Sequence, residues 1–223
     1  MTRPRILLIC LAFYPLLVGG VWGLAGELDR LDWATLAVTC LFHFTCVLLC
    51  AHDTGLIRER FKPGPGAPPW DRVLVRSMKL LILANIVFVP LEIGRFHWTP
   101  ELIDAWRIVG LVGIAVGMIL TGWTMRTNTF FSSLVRLQED RGHHLIQEGP
   151  YRLVRHPGYA GIVLFFAGFN LGFGCLSGIA FVVVLGILLI YRIVREERFL
   201  HERLDGYSDY TRRVRWRLVP GIW

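Results

Sequence analysis

The residues best able to do chemistry are clustered at 149–161, Gly-Pro-Tyr-Arg-Leu-Val-Arg-His-Pro-Gly-Tyr-Ala-Gly. Gly149-Pro150 signals a turn. Pro157 suits the first position of a helix, where its missing N–H costs nothing. His156 is then expected at the mouth of a helix, beside free backbone N–H groups and the positive end of the helix dipole, with Arg152 and Arg155 adding charge. A helix N-terminus flanked by arginines receives a small anion such as a carboxylate. Gly158 and Gly161 leave room for a ligand to approach the backbone. The same residues could also form a membrane anchor, with arginines on lipid headgroups and Tyr151 and Tyr159 in the interface.

A second set is Arg192, Arg195, Glu196 and Glu197. Arg192 and Glu196 are four apart and share a helix face. Adjacent acids beside an apolar run are costly unless paired or used. A carboxylate there could accept ribose hydroxyls or balance a cationic ligand; the bland alternative is a salt-bridged helix end. If the two sets lie together, they make an anion site and a cation or hydroxyl site on one wall. S-Adenosylmethionine has that polarity, with a carboxylate, a ribose diol and a sulfonium.

Helices must bring these sets together. Of the 223 residues 54% are hydrophobic and only 18% charged, against roughly 25% charged in a soluble domain, and the mean hydropathy is +0.50. That excludes a soluble enzyme, a disordered tail and a disulfide scaffold. The five cysteines lie in apolar runs without a CxxC pair and read as buried free thiols. His43, His52, His143 and His144 have no metal-binding spacing, so no metal is expected. Apolar runs at 6–25, 33–51, 73–93 and 105–124 approach the roughly 20 residues that cross a bilayer. The run 159–190 is too long for one crossing and carries turn residues at 170–178, so a helical hairpin is expected. The segment 62–69, Lys-Pro-Gly-Pro-Gly-Ala-Pro-Pro, reads as a rigid linker.

Charge sets the orientation. The net charge of +7 could suggest nucleic acid, but the charges flank apolar spans. With the N-terminus in the cytoplasm, 20 of the 24 Lys and Arg fall on the cytoplasmic side, while the outer segments hold Arg30, Arg95 and Arg107 against six acids. That is the positive-inside bias. The expected fold is all-α: a polytopic membrane protein of four transmembrane helices (1–124) and a cofactor-binding connector, membrane hairpin and tail (125–223), with both termini cytoplasmic. The two parts form one integrated membrane domain. Membrane lipids are expected partners and nucleic acid is not.

The ordered pattern H-x-L-I-x-x-G-P-Y-x-x-V-R-H-P-x-Y-x-G from His143 to Gly161, then R-x-x-x-E-E-x-x-L from Arg192 to Leu200, then Tyr207-Ser208-Asp209-Tyr210, resembles the isoprenylcysteine carboxyl methyltransferase and phospholipid methyltransferase superfamily of integral-membrane enzymes. The resemblance covers roughly the last 100 residues. It implies S-adenosyl-L-methionine as cofactor, with Gln138, His143, His144, Leu145, Ile146, Tyr151, His156, Pro157, Gly158, Tyr159, Glu196 and Glu197 as binding residues. Arg192, Glu196 and Arg155 are the implied catalytic residues, with Arg192 facing the methyl acceptor. The implied acceptor is a lipid, a lipophilic small molecule or a prenylated substrate, with carboxylate O-methylation favoured, at the cytoplasmic face of a bacterial plasma (inner) membrane or a eukaryotic endoplasmic reticulum. Two alternatives remain at this point: an NADPH-dependent reductase of the sterol-reductase type, and a non-catalytic lipid-binding membrane protein.

Overall fold

The computed structural model describes residues 3–52, 55, 59–60 and 63–223, and the regular structure among them is helical throughout. The helices are α1 (Arg3–Ala25), α2 (Arg30–His52), α3 (Pro69–Leu91), α4 (Asp104–Thr127), α5 (Pro157–Gly172), α6 (Ile179–Arg203) and α7 (Tyr207–Arg213). Among the described residues, three stretches are long and apolar enough to cross a membrane: Arg30–Leu48, Pro69–Phe96 and Asp104–Thr127. Pro157–Gly172 is a shorter apolar helix. Lys62 of the expected linker, and the side chains of Cys10 and Cys50, lie outside the described residues; Cys40 and Cys175 are free thiols.

Each boundary has a local cause. α3 starts at Pro69, four residues before its apolar run, because a proline fits the first helical turn. Pro90 lacks the N–H that the helix ladder needs. One residue later the α-helix gives way to a π-helical turn over Glu92–Phe96. α5 and α6 are joined by the turn expected at 170–178, with Gly174 at φ +71°, a conformation that suits glycine. α6 continues to Arg203, well past its apolar run, because backbone hydrogen bonds do not depend on hydropathy.

α4 lies along α5 more extensively than any other described pair packs. Small residues let the two backbones approach, as in membrane helix pairs. A methyl group added at Gly168 would sit 2.5 Å from the Gly110 carbonyl oxygen and from the Ile114 nitrogen. Polar ties fix the other helices. Asn85 on α3 and Asn170 on α5 exchange amide hydrogen bonds of 2.9 and 3.2 Å. Arg107 on α4 holds Asp29 and Asp32 at the start of α2, and donates to the Gly172 carbonyl at the end of α5. One core cluster (Leu17, Val21, Leu36, Val89, Phe169, Phe173, Cys175) joins α1, α2, α3, α5 and the α5–α6 turn. A second (Leu74, Val75, Met78, Leu185, Leu189) joins α3 to α6, with Leu134 and Tyr159 packed against it. That second cluster underlies the site.

Candidate active site

Where α4 ends, Asn128 turns the chain. Its Oδ1 accepts the Phe130 N–H at 2.9 Å, and its Nδ2 donates to the Tyr151 hydroxyl at 2.8 Å. Phe130 is thereby buried, stacked on His143 at 4.4 Å with His144 edge-on at 5.1 Å. Gln138 braces this connector from behind. Its Nε2 donates to the Phe130 carbonyl at 2.7 Å, and its Oε1 accepts from Arg141 at 2.6 Å. Its own N–H donates to His143 Nδ1 at 3.2 Å. Burial, followed by the charges of His144, Arg136 and Arg141, lowers the His143 pKa to about 4. The ring is therefore neutral at pH 7, as an Nδ1 acceptor must be.

Across the cleft, Arg155 and His156 form a short backbone pairing with the tail: their N–H groups donate to the Trp216 and Arg217 carbonyls, both at 2.9 Å. His156 is the N-cap residue of α5 and Pro157 its first residue. Glu197 is the hub of this region. It accepts from Arg155 Nε at 2.6 Å and Arg217 Nε at 2.8 Å, and lies 3.3 Å from His156 Nε2. Burial works to raise its pKa, but the bonds from His156, Arg155 and Arg217 outweigh it and hold the value at about 2. Arg155 also donates to the Val214 and Arg215 carbonyls.

Glu196, one residue earlier, points elsewhere. It accepts from the Tyr159 hydroxyl at 2.6 Å. The Tyr159 ring is parallel to His156 at 5.5 Å and lies under the Arg192 guanidinium at 5.4 Å. Arg192, Glu196, Leu200 and Leu204 follow at intervals of four and all line one cleft, which therefore runs about 18 Å along α6 at 1.5 Å per residue. The cleft encloses about 840 Å³ of empty space, solvent at its mouth included. Tyr207 and Tyr210 also line it. The Tyr210 hydroxyl donates to the Tyr151 carbonyl at 2.8 Å. The Tyr207 hydroxyl is buried without a hydrogen-bond partner among the described residues, and burial raises its pKa.

Of the residues singled out from sequence, the cleft brings together His143, His144, Leu145, Ile146, Tyr151, Arg155, His156, Tyr159, Arg192 and Glu196. Gln138, Pro157, Gly158 and Glu197 are outside its lining. The room expected beside Gly158 is taken by the Phe131 ring, and that beside Gly161 by Thr121 and the Gly117 carbonyl. These glycines serve packing because the connector and α4 fold against α5. Sequence reasoning missed Phe130, Leu204 and the buried Asp71; Tyr207 and Tyr210 entered it only as part of the family pattern, without a site role. The three-residue spacing of Tyr207 and Tyr210 on a helix was a usable signal for a shared face.

A family profile described as phospholipid methyltransferase matches residues 105–205, which hold most of the cleft. The probable protein-S-isoprenylcysteine O-methyltransferase of Oryza sativa subsp. indica is 34% identical over 120 residues, 52% of this chain and 63% of that protein. The chain thus matches somewhat under two thirds of the rice relative's length. The protein-S-isoprenylcysteine O-methyltransferase of Schizosaccharomyces pombe is 30% identical over 188 residues, 80% of this chain and 79% of that protein. The solved structure of the eukaryotic intramembrane Ras methyltransferase, isoprenylcysteine carboxyl methyltransferase, superposes with a TM-score of 0.55 at 20% identity, over 96% of this chain and 76% of that one. At that identity the likeness is one of fold. From the profile, the length of the fission-yeast match and the shared fold, the chain belongs to the isoprenylcysteine O-methyltransferase family of membrane proteins.

Proposed function

We propose that the chain is an S-adenosylmethionine-dependent methyltransferase acting on an amphiphilic, isoprenylated acceptor, with O-methylation of a carboxylate as its reaction. The observation that carries this reading is the pair Arg192 and Glu196, one helical turn apart in one cleft, each held by a different partner. The residues fit the cofactor. Glu196 offers a carboxylate whose second oxygen accepts no hydrogen bond from a described residue. Phe130, His143, Leu145 and Ile146 offer flat or apolar surface for a base, and Tyr207 offers a buried hydroxyl in need of a partner.

When bound, the cofactor supplies a methyl group on a sulfonium, which needs no further activation. The protein's work is then alignment and charge placement. Arg192 receives the acceptor carboxylate, which is ionised at pH 7, so no general base is required. Tyr159 fixes Glu196 from one side and underlies Arg192 from the other, which sets the spacing of the two charged groups. The apolar residues Phe131, Leu134 and Val135 along the lining suit an acceptor that arrives from the bilayer. Four transmembrane helices and the α5–α6 hairpin, with both termini and the cleft on the cytoplasmic side, accord with the charge bias of the sequence.

The test is calorimetric binding of S-adenosylhomocysteine to the detergent-purified protein, beside Glu196→Ala. Micromolar binding that is lost in the variant is expected. A folded wild-type protein that does not bind would overturn the assignment and return the reductase and lipid-binding readings.

A further inference from the structure

Asp71 is a fully buried acid to which the reading above gives no task. It stands in the first turn of α3, where the helix dipole favours a carboxylate. Its Oδ1 accepts from Arg192 Nε at 2.8 Å, and its Oδ2 accepts from Arg192 Nη2 at 3.3 Å and from the Val135 N–H at 2.7 Å. Arg192 Nη2 also donates to the Ser133 carbonyl at 2.9 Å. A guanidinium is a rigid planar fork of five N–H donors. Nε and Nη2 are thus used, and Nη1 makes no hydrogen bond to a described residue. The Nε–Nη2 edge of the fork is tied down, and the N–H groups of Nη1 are left for a ligand.

Asp71 also solves a second problem. Arg192 and Glu196 are opposite charges four apart on one helix face, the spacing at which such residues ordinarily pair with each other. That pairing would consume both groups. No salt bridge joins them: Arg192 takes Asp71 and Glu196 takes Tyr159. Arg192 is itself nearly fully buried, and a buried guanidinium without a counter-ion would have to recruit one.

We propose that Asp71 is a positioning residue for acceptor recognition: it holds Arg192 away from Glu196, with Nη1 alone presented to the cleft, and so makes the site select an acceptor carboxylate over an uncharged analogue. This rests on the methyltransferase reading. Asp71 touches neither reactant and acts through Arg192.

The experiment compares N-acetyl-S-farnesylcysteine as methyl acceptor with its amide as competing ligand, at saturating S-adenosylmethionine, in wild type, Asp71→Asn and Asp71→Glu. The ratio of acid KM to amide inhibition constant is the readout. Both probes meet the same folded population, so a merely structural loss lowers the rate without moving the ratio. In Asp71→Asn the preference for the acid is expected to fall about tenfold or more, the size of losing one charge-assisted hydrogen bond, with kcat/KM for the acid falling at least as far. Asp71→Glu keeps the charge but moves the carboxylate by one methylene. Its preference is expected to fall about threefold or more, and it decides the matter if Asp71→Asn does not fold. An unchanged ratio in a folded variant overturns the proposal while leaving the methyltransferase reading intact. A wild-type protein that does not bind S-adenosylhomocysteine overturns that reading, and this proposal with it.

Discussion

Replacing Tyr207 by phenylalanine should move stability and ligand affinity in opposite directions. The residue is 3% exposed and its hydroxyl has no described partner. Burying an unpaired hydroxyl costs roughly 1–3 kcal/mol. The ring itself is well packed, edge-on to His201 at 5.0 Å and tilted to Tyr210 at 5.8 Å, and phenylalanine keeps both contacts. Removing the oxygen therefore relieves a penalty in the free protein, and the variant should be more stable by about 1 kcal/mol, a Tm gain of about 2–4 °C for a chain of this size. On the proposed methyltransferase reading, the wild-type hydroxyl gains a partner in the cofactor complex and the variant cannot. S-Adenosylhomocysteine should then bind about 5- to 30-fold more weakly, the equivalent of about 1–2 kcal/mol. Thermal unfolding with and without ligand, together with calorimetry, reads both signs. A variant that is less stable than wild type, yet binds the ligand unchanged, would refute the reasoning, because the hydroxyl would then already be satisfied within the fold.

Three further outcomes are expected. Glu197→Gln should destabilise the protein by about 3–5 kcal/mol, because it strips the counter-charge from buried Arg155; denaturant unfolding measures this, and a loss below about 1 kcal/mol would count against the hub. Since Glu197 is held at about 2, below the ordinary 4.5, the unfolded chain binds more protons between those values. Its contribution is thus complete above pH 4.5 and lost as pH falls towards 2. His143 is likewise lowered, from 6.5 to about 4, so its neutral form is needed in the fold and stability should fall as pH drops from 6.5 to 4. His143→Phe keeps the stack on Phe130 and should remove that part of the pH dependence; an unaltered slope would contradict it. Gly168→Ala drives a methyl into the Gly110 carbonyl and Ile114 nitrogen and should cost about 1–3 kcal/mol, read as a lowered Tm, whereas no change would mean that α4 and α5 can part freely.

The helices were legible because each apolar run is long and interrupted by turn residues: the expected spans at 73–93 and 105–124 correspond to Pro69–Leu91 and Asp104–Thr127. The boundaries that shifted did so at charged residues. Trp70, Asp71 and Arg72 form the first turn of α3 and read as a loop by hydropathy alone. Arg192 and Glu196 could be placed on one face because helical spacing is a local property. The partner of Arg192 could not, since Asp71 lies 121 residues away and no local rule links the two. Gln138 fell in the right segment, yet its amide is spent on the Phe130 carbonyl and Arg141, and spacing cannot say which way a side chain turns inside an irregular connector.

The same limit explains why spacing alone, without the family resemblance, could not say how the adjacent acids Glu196 and Glu197 divide. Successive residues on a helix point about 100° apart. One of the pair therefore faces the cleft while the other faces Arg155 and the tail. That division sets the charge of the site. Three arginines line the cleft, and each pairs with a carboxylate from another segment: Glu59 for Arg136, Asp71 for Arg192 and, for Arg155, Glu197, which Arg217 shares. Glu196 is the acid of the lining, and its partner is a neutral phenol. With His143 uncharged at pH 7, each lining arginine already has a counter-charge, Arg152 of the expected anion receptor lies outside the lining, and the carboxylate of Glu196 is left without a salt bridge. S-Adenosylmethionine carries one carboxylate against an ammonium and a sulfonium, a net charge of one positive. A cleft whose uncompensated group is a single carboxylate suits that ligand better than a cleft of free arginines would, and leaves the open edge of Arg192 for the anion of the acceptor.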